Sequence, residues 1–393
     1  MATLGYIEAE VARLRDEGVY REPAVLTGRQ GARAVIQGRP VINLASNNYL
    51  GLAGHPRLVR AMVEATERLG VGSGAVRTIV GTMQVHLDLE RDLAAFKGSE
   101  AALTFQSGFT ANLAVIPVLA GDGDGIFSDA LNHASIIDGC RLSRAEVVRF
   151  RHADMDDLAD QLRRHRGRFR HAVVITDGVF SMDGDVARLP DLVPLAERYD
   201  AAVYVDDAHG SGVMGPGGRG TVAHFGLEDR VHVQIGTLSK AVGVVGGYAA
   251  AARPLVELLT QRARPFLFST SHPPGVAAAC REALRVLADE PERVERLWAN
   301  TRRFKEGLRA LGFDTGASET PITPVMAFDE RRALALSDRL LEEGVFAQGI
   351  VFPTVPRGMA RVRTIVTAEH TPEDLDAALG AFERAGRAVG LLA

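Results

Sequence analysis

Four short apolar runs in this sequence are each followed by side chains that could do chemistry. The runs have the composition of β-strands and cover residues 101–105, 172–176, 201–205 and 231–236. The side chains that follow them are Ser107, Ser181, Asp206, His209, Thr237 and Lys240. Because ligands of parallel α/β sheets bind beyond the carboxyl ends of the strands, we expect these groups to meet at one edge of a sheet.

These groups are the set that a protein needs to hold pyridoxal phosphate. Lysine forms a Schiff base with this cofactor, a buried carboxylate keeps its ring nitrogen protonated, and hydroxyl or imidazole groups bind its ring oxygen. Lys240, Asp206 and Ser181 could supply these functions. The small-residue turn at 106–112 enters a helix whose first amides could bind the phosphate. The sequence therefore predicts pyridoxal phosphate on Lys240 and no metal, since Asp206 and His209 alone are too few ligands.

Each of these residues also has an ordinary interpretation when it is taken alone. Asp206 could cap a helix, Lys240 could be a solvated charge, and His133 could be a structural histidine. Only their joint occurrence favours the cofactor. The motif at 215–220 matches GxGxxG, which would indicate a nucleotide-dependent oxidoreductase, but it follows a loop and lacks the acidic residue of a dinucleotide site. A non-catalytic binding role would leave the joint occurrence unexplained.

The elements that must position these groups divide the chain into three parts. Residues 1–55 predict an N-terminal arm with an amphipathic helix and short extended segments. From 56 to 290, apolar β-type runs alternate with helical patterns, which is typical of βαβ units and a mainly parallel sheet. Residues 291–393 begin with apolar positions at helical spacing and predict a smaller α+β domain.

Composition limits the class of protein and of partner. A chain of 393 residues with 46% hydrophobic and 24% charged residues fits a two-domain enzyme. Its net charge of −4 gives no reason to expect nucleic acid or a membrane as partner, so a small-molecule substrate is favoured. Cys140 and Cys280 are too few and too far apart for a disulfide scaffold, and the start lacks a signal peptide, so a cytoplasmic location is expected. Only three of the 45 basic side chains are lysines.

Five motifs resemble those of the α-oxoamine synthases, pyridoxal phosphate enzymes that condense an amino acid with an acyl-CoA thioester. The motifs are SNNYLG at 46–51, NHAS at 132–135, DDAHG at 206–210, GTLSK at 236–240 and RVR at 361–363. The similarity spans nearly the whole chain. It implies an α/β fold of PLP-dependent transferase fold type I, in which a large domain with a mainly parallel seven-stranded sheet precedes a smaller α+β C-terminal domain. It also implies a homodimer with shared active sites.

The resemblance also assigns roles to residues of this sequence. It makes Lys240, His133, Asp206 and His209 catalytic, with Lys240 as Schiff base and general base and His133 stacked on the ring. The residues it assigns to the cofactor are Ser107, Gly108, Phe109, His133, Ser181, Asp206, His209, Thr237, Lys240, Ser269 and Thr270, of which Thr270 is given across the subunit interface. The residues it assigns to the substrate are Asn48, Thr354 and Arg363, whose guanidinium suits a carboxylate.

Two substrate pairs are consistent with the resemblance. The first and preferred pair is glycine with acetyl-CoA, the reaction of the glycine C-acetyltransferase (2-amino-3-ketobutyrate CoA ligase) branch, which yields 2-amino-3-oxobutyrate and serves threonine degradation. The alternative pair is L-alanine with pimeloyl-CoA or its carrier-protein ester, condensed with loss of carbon dioxide in biotin biosynthesis. A chain with both activities would also fit. Whether the carboxylate leaves as carbon dioxide separates the two reactions.

Overall fold

The computed structural model describes residues 4–17, 20 and 22–392. Its strands form three sheets. The strands are, in chain order, β1 (Leu26–Thr27), β2 (Arg33–Ile36), β3 (Arg39–Asn43), β4 (Ala101–Phe105), β5 (Gly125–Asp129), β6 (Glu146–Phe150), β7 (Ala172–Asp177), β8 (Ala202–Asp206), β9 (Val233–Thr237), β10 (Gly247–Ala251), β11 (Ile322–Phe328), β12 (Val345–Phe346), β13 (Gln348–Ile350) and β14 (Ala360–Ile365).

Helices connect and cover these strands. They are, in chain order, α1 (Gly5–Asp16), α2 (Pro56–Leu69), α3 (Gln84–Lys97), α4 (Gly108–Leu119), α5 (Ala134–Ser143), α6 (Met155–His165), α7 (Leu189–Arg198), α8 (Thr221–His224), α9 (Arg253–Arg262), α10 (Arg264–Phe268), α11 (Pro274–Asp289), α12 (Glu292–Leu311), α13 (Glu330–Glu342) and α14 (Pro372–Ala388). No helix in the described ranges is both long and apolar enough to cross a membrane.

The large sheet has seven strands in the order β4-β10-β9-β8-β7-β5-β6. Only β10 runs antiparallel to its two neighbours, and the remaining pairs are parallel. Its interior strand β7 is buried along its whole length, as expected where helices cover both faces of a parallel sheet. The prediction of a mainly parallel seven-stranded sheet is confirmed.

Three of the predicted runs differ from the observed strands by one or two residues at one or both ends. β8 ends at Asp206 and β9 ends at Thr237, so these polar residues still belong to the ladder. Asp206 lies beside Asp177, the last residue of β7. Backbone pairing does not require an apolar side chain, and therefore the apolar runs alone placed the strand ends too early.

The two smaller sheets lie outside this core. One has the order β1-β2-β3-β12, and the other, the C-terminal sheet, has the order β11-β14-β13. The predicted α+β region after the large sheet is confirmed. Strand β3 of the predicted arm pairs with β12, which is more than 300 residues further along the chain, so the arm packs on the C-terminal region. The division at residues 55 and 290 stays a prediction, and its residues 1–3, 18, 19, 21 and 393 lie outside the described part.

Candidate active site

A cavity of about 210 Å³ lies at the carboxyl ends of β7, β8 and β9. Predicted site residues from five segments line it: Ser107, Gly108, Phe109, His133, Ser181, Asp206, His209, Thr237 and Lys240. Two larger grooves, of about 470 and 460 Å³, lie near the amino ends of β7 and β8, and none of the predicted site residues lines them. A third, of about 370 Å³, is lined by one predicted site residue, Thr354. The chemistry-bearing side chains therefore converge on the smaller cavity.

Lys240 and Asp206 give this cavity an amine and a carboxylate whose pKa values are shifted from their usual ranges. Burial lowers the pKa of Lys240 to about 8, an effect that Arg363 reinforces and that Asp206 and Asp177 oppose. Burial raises the pKa of Asp206, although a hydrogen bond from Asn112 and the charge of Lys240 favour its ionised form. An amine with a pKa near 8 is neutral in a larger fraction at neutral pH than an ordinary lysine, which suits it to be a nucleophile or a general base.

Asn112 holds the Asp206 carboxylate from within α4. Its Nδ2 donates to Asp206 Oδ2 at 2.6 Å and to Ser135 Oγ at 2.8 Å. Tyr204 donates its hydroxyl proton to Asn112 Oδ1, which fixes the orientation of the amide. The backbone amide of Ala208 donates to the other carboxylate oxygen at 3.0 Å. These bonds orient a buried carboxylate toward the cavity.

His133 is held in one tautomer by the start of α5. The backbone amide of Ser135 donates to His133 Nδ1 at 3.2 Å, and Ser135 Oγ lies 2.8 Å from the same nitrogen. An amide can only donate, so Nδ1 is the acceptor and the neutral ring carries its proton on Nε2. Burial and the charge of Lys240 lower the pKa of His133, although the charge of Asp206 partly opposes this shift. The His133 ring therefore offers a neutral N–H donor.

The start of α4 offers an anion site. Ser107 caps this helix by accepting the amide of Thr110 at 3.0 Å, and Ser107, Gly108 and Phe109 all line the cavity. The first amides of a helix lack intrahelical acceptors and point toward bound anions. A Cβ on Gly108 would lie 3.0 Å from the Cβ of Thr237, so glycine keeps this turn close to the end of β9. Phosphate fits this donor set.

Hydrogen-bond partners hold two predicted residues, His209 in the cavity and Arg363 beside it. His209 Nδ1 lies 2.7 Å from the hydroxyl of Tyr49, and burial lowers the pKa of His209 well below its usual value. Arg363, on β14, donates to the carbonyl oxygen of Ser181 at 3.1 Å. Burial lowers the pKa of Arg363 as well, which marks a guanidinium with little solvent around it. β14 thus brings a cation of the C-terminal sheet to the edge of the cavity.

Besides Arg363, four predicted residues do not line the cavity. Thr354 lines an adjoining cavity of about 140 Å³ that shares Ser181 with the first. Asn48 Nδ2 is buried and has no hydrogen-bond partner among the described residues, as a donor awaiting a ligand would. Ser269 directly follows α10, and the carbonyl oxygen of Thr270 accepts from Gln106 Nε2 at 2.6 Å. Their assigned roles stay predictions.

Several residues at the site were not predicted from the sequence. Ser135, Asp177, Ala208 and Ser239 also line the cavity. Ser135 and Ala208 lie inside the motifs at 132–135 and 206–210, so the motifs themselves could have indicated them. Asn112 and Tyr204 act through contacts 94 and 92 residues apart in the chain, and neither has a local signal that distinguishes it.

The other two lysines are buried away from this cavity. Lys97 Nζ lies 2.7 Å from Asp207 Oδ2, and both side chains are fully inaccessible to solvent. Burial lowers the pKa of Lys97, but the charge and hydrogen bond of Asp207 together with the nearby Tyr248 outweigh burial, and the pKa is raised. Lys305 donates to Ser318 O at 2.9 Å and to Thr320 O at 3.0 Å. Neither amine is free to react at the surface.

The residues present fit pyridoxal phosphate. The cavity combines an amine of lowered pKa, a buried carboxylate, a neutral imidazole donor and a helix N-terminus that suits a phosphate. Only a ligand with both an aldehyde and an anionic group would use all of them, which is the chemistry of this cofactor. The donor set thus agrees with the cofactor predicted from the sequence.

Comparisons with known proteins agree with this chemistry. Residues 39–382 match the family model described as aminotransferase class I and II. The chain is 64% identical over 392 residues to the 8-amino-7-oxononanoate synthase of Symbiobacterium thermophilum, covering 100% of both chains. It is 59% identical over 389 residues to the protein of that name in Thermoanaerobacter pseudethanolicus, covering 99% of this chain and 98% of the relative.

Solved structures show the same fold. A serine palmitoyltransferase from S. paucimobilis with a bound PLP–myriocin aldimine superposes with a TM-score of 0.93 at 37% identity, covering 100% of both chains. An 8-amino-7-oxononanoate synthase from Francisella tularensis superposes with a TM-score of 0.77 at 28% identity, covering 88% of this chain and 98% of that one. The predicted fold, family and cofactor are confirmed, whereas the preference for glycine and acetyl-CoA is not supported. The chain belongs to the aminotransferase class I and II family and is a pyridoxal phosphate-dependent acyltransferase of the α-oxoamine synthase type.

Proposed function

We propose that this chain condenses L-alanine with a pimeloyl thioester, releasing carbon dioxide and the thiol to give 8-amino-7-oxononanoate. The observation that carries the proposal is full-length identity of 53–64% to proteins named 8-amino-7-oxononanoate synthase. This is the alternative substrate pair of the sequence analysis. No observation in the described residues favours glycine and acetyl-CoA over it.

The residues of the cavity support the chemistry of this condensation. When bound, pyridoxal phosphate supplies an electron-withdrawing ring that takes up the electron pair left when a Cα proton of the amino acid departs. Asp206 would accept a hydrogen bond from the ring nitrogen, and the amides of Gly108 and Phe109 would hold the phosphate. Lys240 would carry the cofactor and, once displaced by the amino acid, use Nζ to take the Cα proton.

Two more groups would act on the substrates. Arg363 would bind the amino acid carboxylate, because a guanidinium pairs with a carboxylate in a bidentate way. His133 would donate its Nε2 proton in a hydrogen bond to the thioester carbonyl oxygen, where negative charge develops as the new carbon–carbon bond forms. The orphaned Asn48 Nδ2 supports its proposed role as an additional donor to the substrate.

A homodimer and a cytoplasmic location are part of the proposal. Val71, Ile79, Val80 and Phe268 are between 70% and 83% exposed, and large exposed apolar side chains mark protein interfaces. Phe268 lies two residues before Thr270, and a β-bridge between Val76 and Thr270 brings the segment that holds the three other side chains next to Thr270. A partner subunit could therefore contact this region. The molecular mass in solution would test the assembly.

The decisive experiment compares substrates in one assay. Purified protein loaded with pyridoxal phosphate is given L-alanine or glycine with pimeloyl-CoA or acetyl-CoA, and thiol release is followed. We expect the highest kcat/KM with L-alanine and pimeloyl-CoA, together with carbon dioxide from labelled carboxylate. Faster turnover of glycine with acetyl-CoA and no carbon dioxide would contradict the substrate assignment. Thiol release by a well-folded Lys240→Ala variant at the wild-type rate would contradict the mechanism.

A further inference from the structure

His152 joins two carboxylates just outside the cavity. It follows β6, and its Nδ1 lies 3.0 Å from Asp129 Oδ1 while its Nε2 lies 2.8 Å from Asp185 Oδ2. The edge of its ring also packs on Phe180, with 4.4 Å between ring centroids. None of these residues lines the cavity around Lys240, so the cluster is separate from the site described above.

The geometry makes His152 a cation. A carboxylate oxygen accepts hydrogen bonds, so each ring nitrogen that faces one must donate a proton, and a ring with two N–H groups is an imidazolium. Burial alone would lower the pKa of His152, but the two carboxylates outweigh it and raise the pKa to about 10. With both nitrogens donating, the ring has no lone pair for a metal or for proton abstraction. The cluster is therefore a charged clamp and not a second catalytic centre.

One arm of this clamp fixes the turn that leads to His133. Asp129 ends β5, and its Oδ1 also accepts the amide of Leu131 at 2.8 Å. Its Oδ2 accepts the amide of Ala153 at 3.0 Å, next to His152. Asp129 thus ties the β5 turn to the end of β6, four residues before His133 caps α5 and enters the cavity.

The other arm fixes the turn that carries Ser181. The amide of Phe180 donates to Asp185 O at 3.1 Å, and the amide of Gly184 donates to Phe180 O at 2.8 Å, which closes a tight turn around Ser181. Asp185 Oδ1 is buried and has no partner in the part of the chain that the structure describes. The contact with His152 is therefore what orients this carboxylate.

We propose that His152 is a positioning residue: its imidazolium ties the turn before His133 to the turn that carries Ser181, and so sets the spacing of these two groups across the cofactor cavity. The inference rests on the proposed function for the identity of the molecule that the cavity holds. His152 itself touches neither cofactor nor substrate.

The test compares three variants of the full-length holoenzyme. His152→Phe keeps an aromatic ring beside Phe180 but donates no hydrogen bond. His152→Arg restores a cation with two donors. His224→Phe is the matched control, because His224 is exposed and also packs edge-on against a phenylalanine, Phe225, at 4.7 Å. The measurements are the visible circular dichroism of bound pyridoxal phosphate, its dissociation constant, kcat with KM, and the melting temperature.

We expect His152→Phe to change the dichroism band and to lower kcat by roughly 10- to 100-fold, because small displacements of reacting groups have effects of this size. His152→Arg should recover most of both, and His224→Phe should match the wild type. The inference is overturned if His152→Phe lowers only the melting temperature, or if arginine restores neither kcat nor the band.

Two features keep this test decisive. If His152→Phe does not fold, Asp185→Asn replaces it, because asparagine keeps an acceptor oxygen for His152 but removes the charge. A smaller change of the same dichroism band then supports the inference, and an unchanged band overturns it. Dichroism and cofactor affinity need no turnover, so the inference can fail while the proposed substrates are correct, and the substrates can be wrong while the clamp is real.

Discussion

The hydrogen bond from Asn112 to Asp206 gives the sharpest test of how this site holds its cofactor. Asn112 Nδ2 and Asp206 Oδ2 are 2.6 Å apart, and neither side chain has appreciable solvent contact. Asn112→Leu has a similar size but donates nothing to the carboxylate. Because water does not reach Asp206, nothing replaces the lost donor, and the ionised carboxylate becomes less stable.

The size of the effect follows from the charge on the acceptor. A hydrogen bond to a charged group contributes about 1.5 to 3 kcal/mol. The neutral form of Asp206, which burial favours in the absence of the cofactor, loses less stabilisation when this hydrogen bond is removed. If Asp206 must be ionised to bind a protonated ring nitrogen, this difference weakens cofactor binding by roughly 10- to 100-fold.

The assay is a titration of the apoprotein with pyridoxal phosphate, followed by visible absorbance at several pH values. Tyr204→Phe is the control, because Tyr204 donates to the amide oxygen of Asn112 and not to Asp206. We expect its dissociation constant to stay within a few-fold of the wild type. An Asn112→Leu variant that binds the cofactor as tightly as the wild type at every pH would refute the assigned role of Asp206.

Three other perturbations have expected outcomes of their own. Lys97→Met should lower the free energy of unfolding in urea by about 3 to 5 kcal/mol, since it leaves a buried charge unpaired, and adding Asp207→Asn should recover part of the loss. Burial lowers the pKa of His370 from 6.5 to about 4. Its contribution to stability is therefore present above pH 6.5 and is lost as the pH falls toward 4. His370→Gln should remove up to about 3 kcal/mol of this pH dependence from the free energy of unfolding measured in urea. Gly108→Ala should weaken pyridoxal phosphate binding severalfold in the absorbance titration, whereas Gly167→Ala, which adds a Cβ in open space, should not.

The sequence was sufficient to predict the parts of the site that depend on strand ends. The apolar runs placed Asp206 and Lys240 beyond neighbouring parallel strands, and the sheet that joins those strands follows from the βαβ pattern. The prediction needed no knowledge of distant contacts, because the carboxyl ends of parallel strands share one edge.

The sequence was insufficient wherever a side chain acts through a distant partner. Asn112 contacts Asp206 across 94 residues, and Lys97 contacts Asp207 across 110 residues. His152 has no neighbour in the sequence that identifies it as an imidazolium, because both of its carboxylates lie more than 20 residues away. Such contacts depend on how helices and loops pack over the sheet, which periodicity does not encode. Periodicity and local motifs do not predict the choice of substrate either, because the shape of the substrate pocket also depends on this packing.

The burial of lysine leaves the outer surface without a lysine amine. Acyl thioesters modify unprotonated amines, whereas guanidinium groups stay protonated and do not react. Lys240 is the lysine that can meet a thioester, and it does so inside the cavity, where the reaction belongs. A protein that handles reactive thioesters is thereby protected from slow chemical acylation by them. Peptide mapping by mass spectrometry after long incubation with pimeloyl-CoA should find Lys97 and Lys305 unmodified.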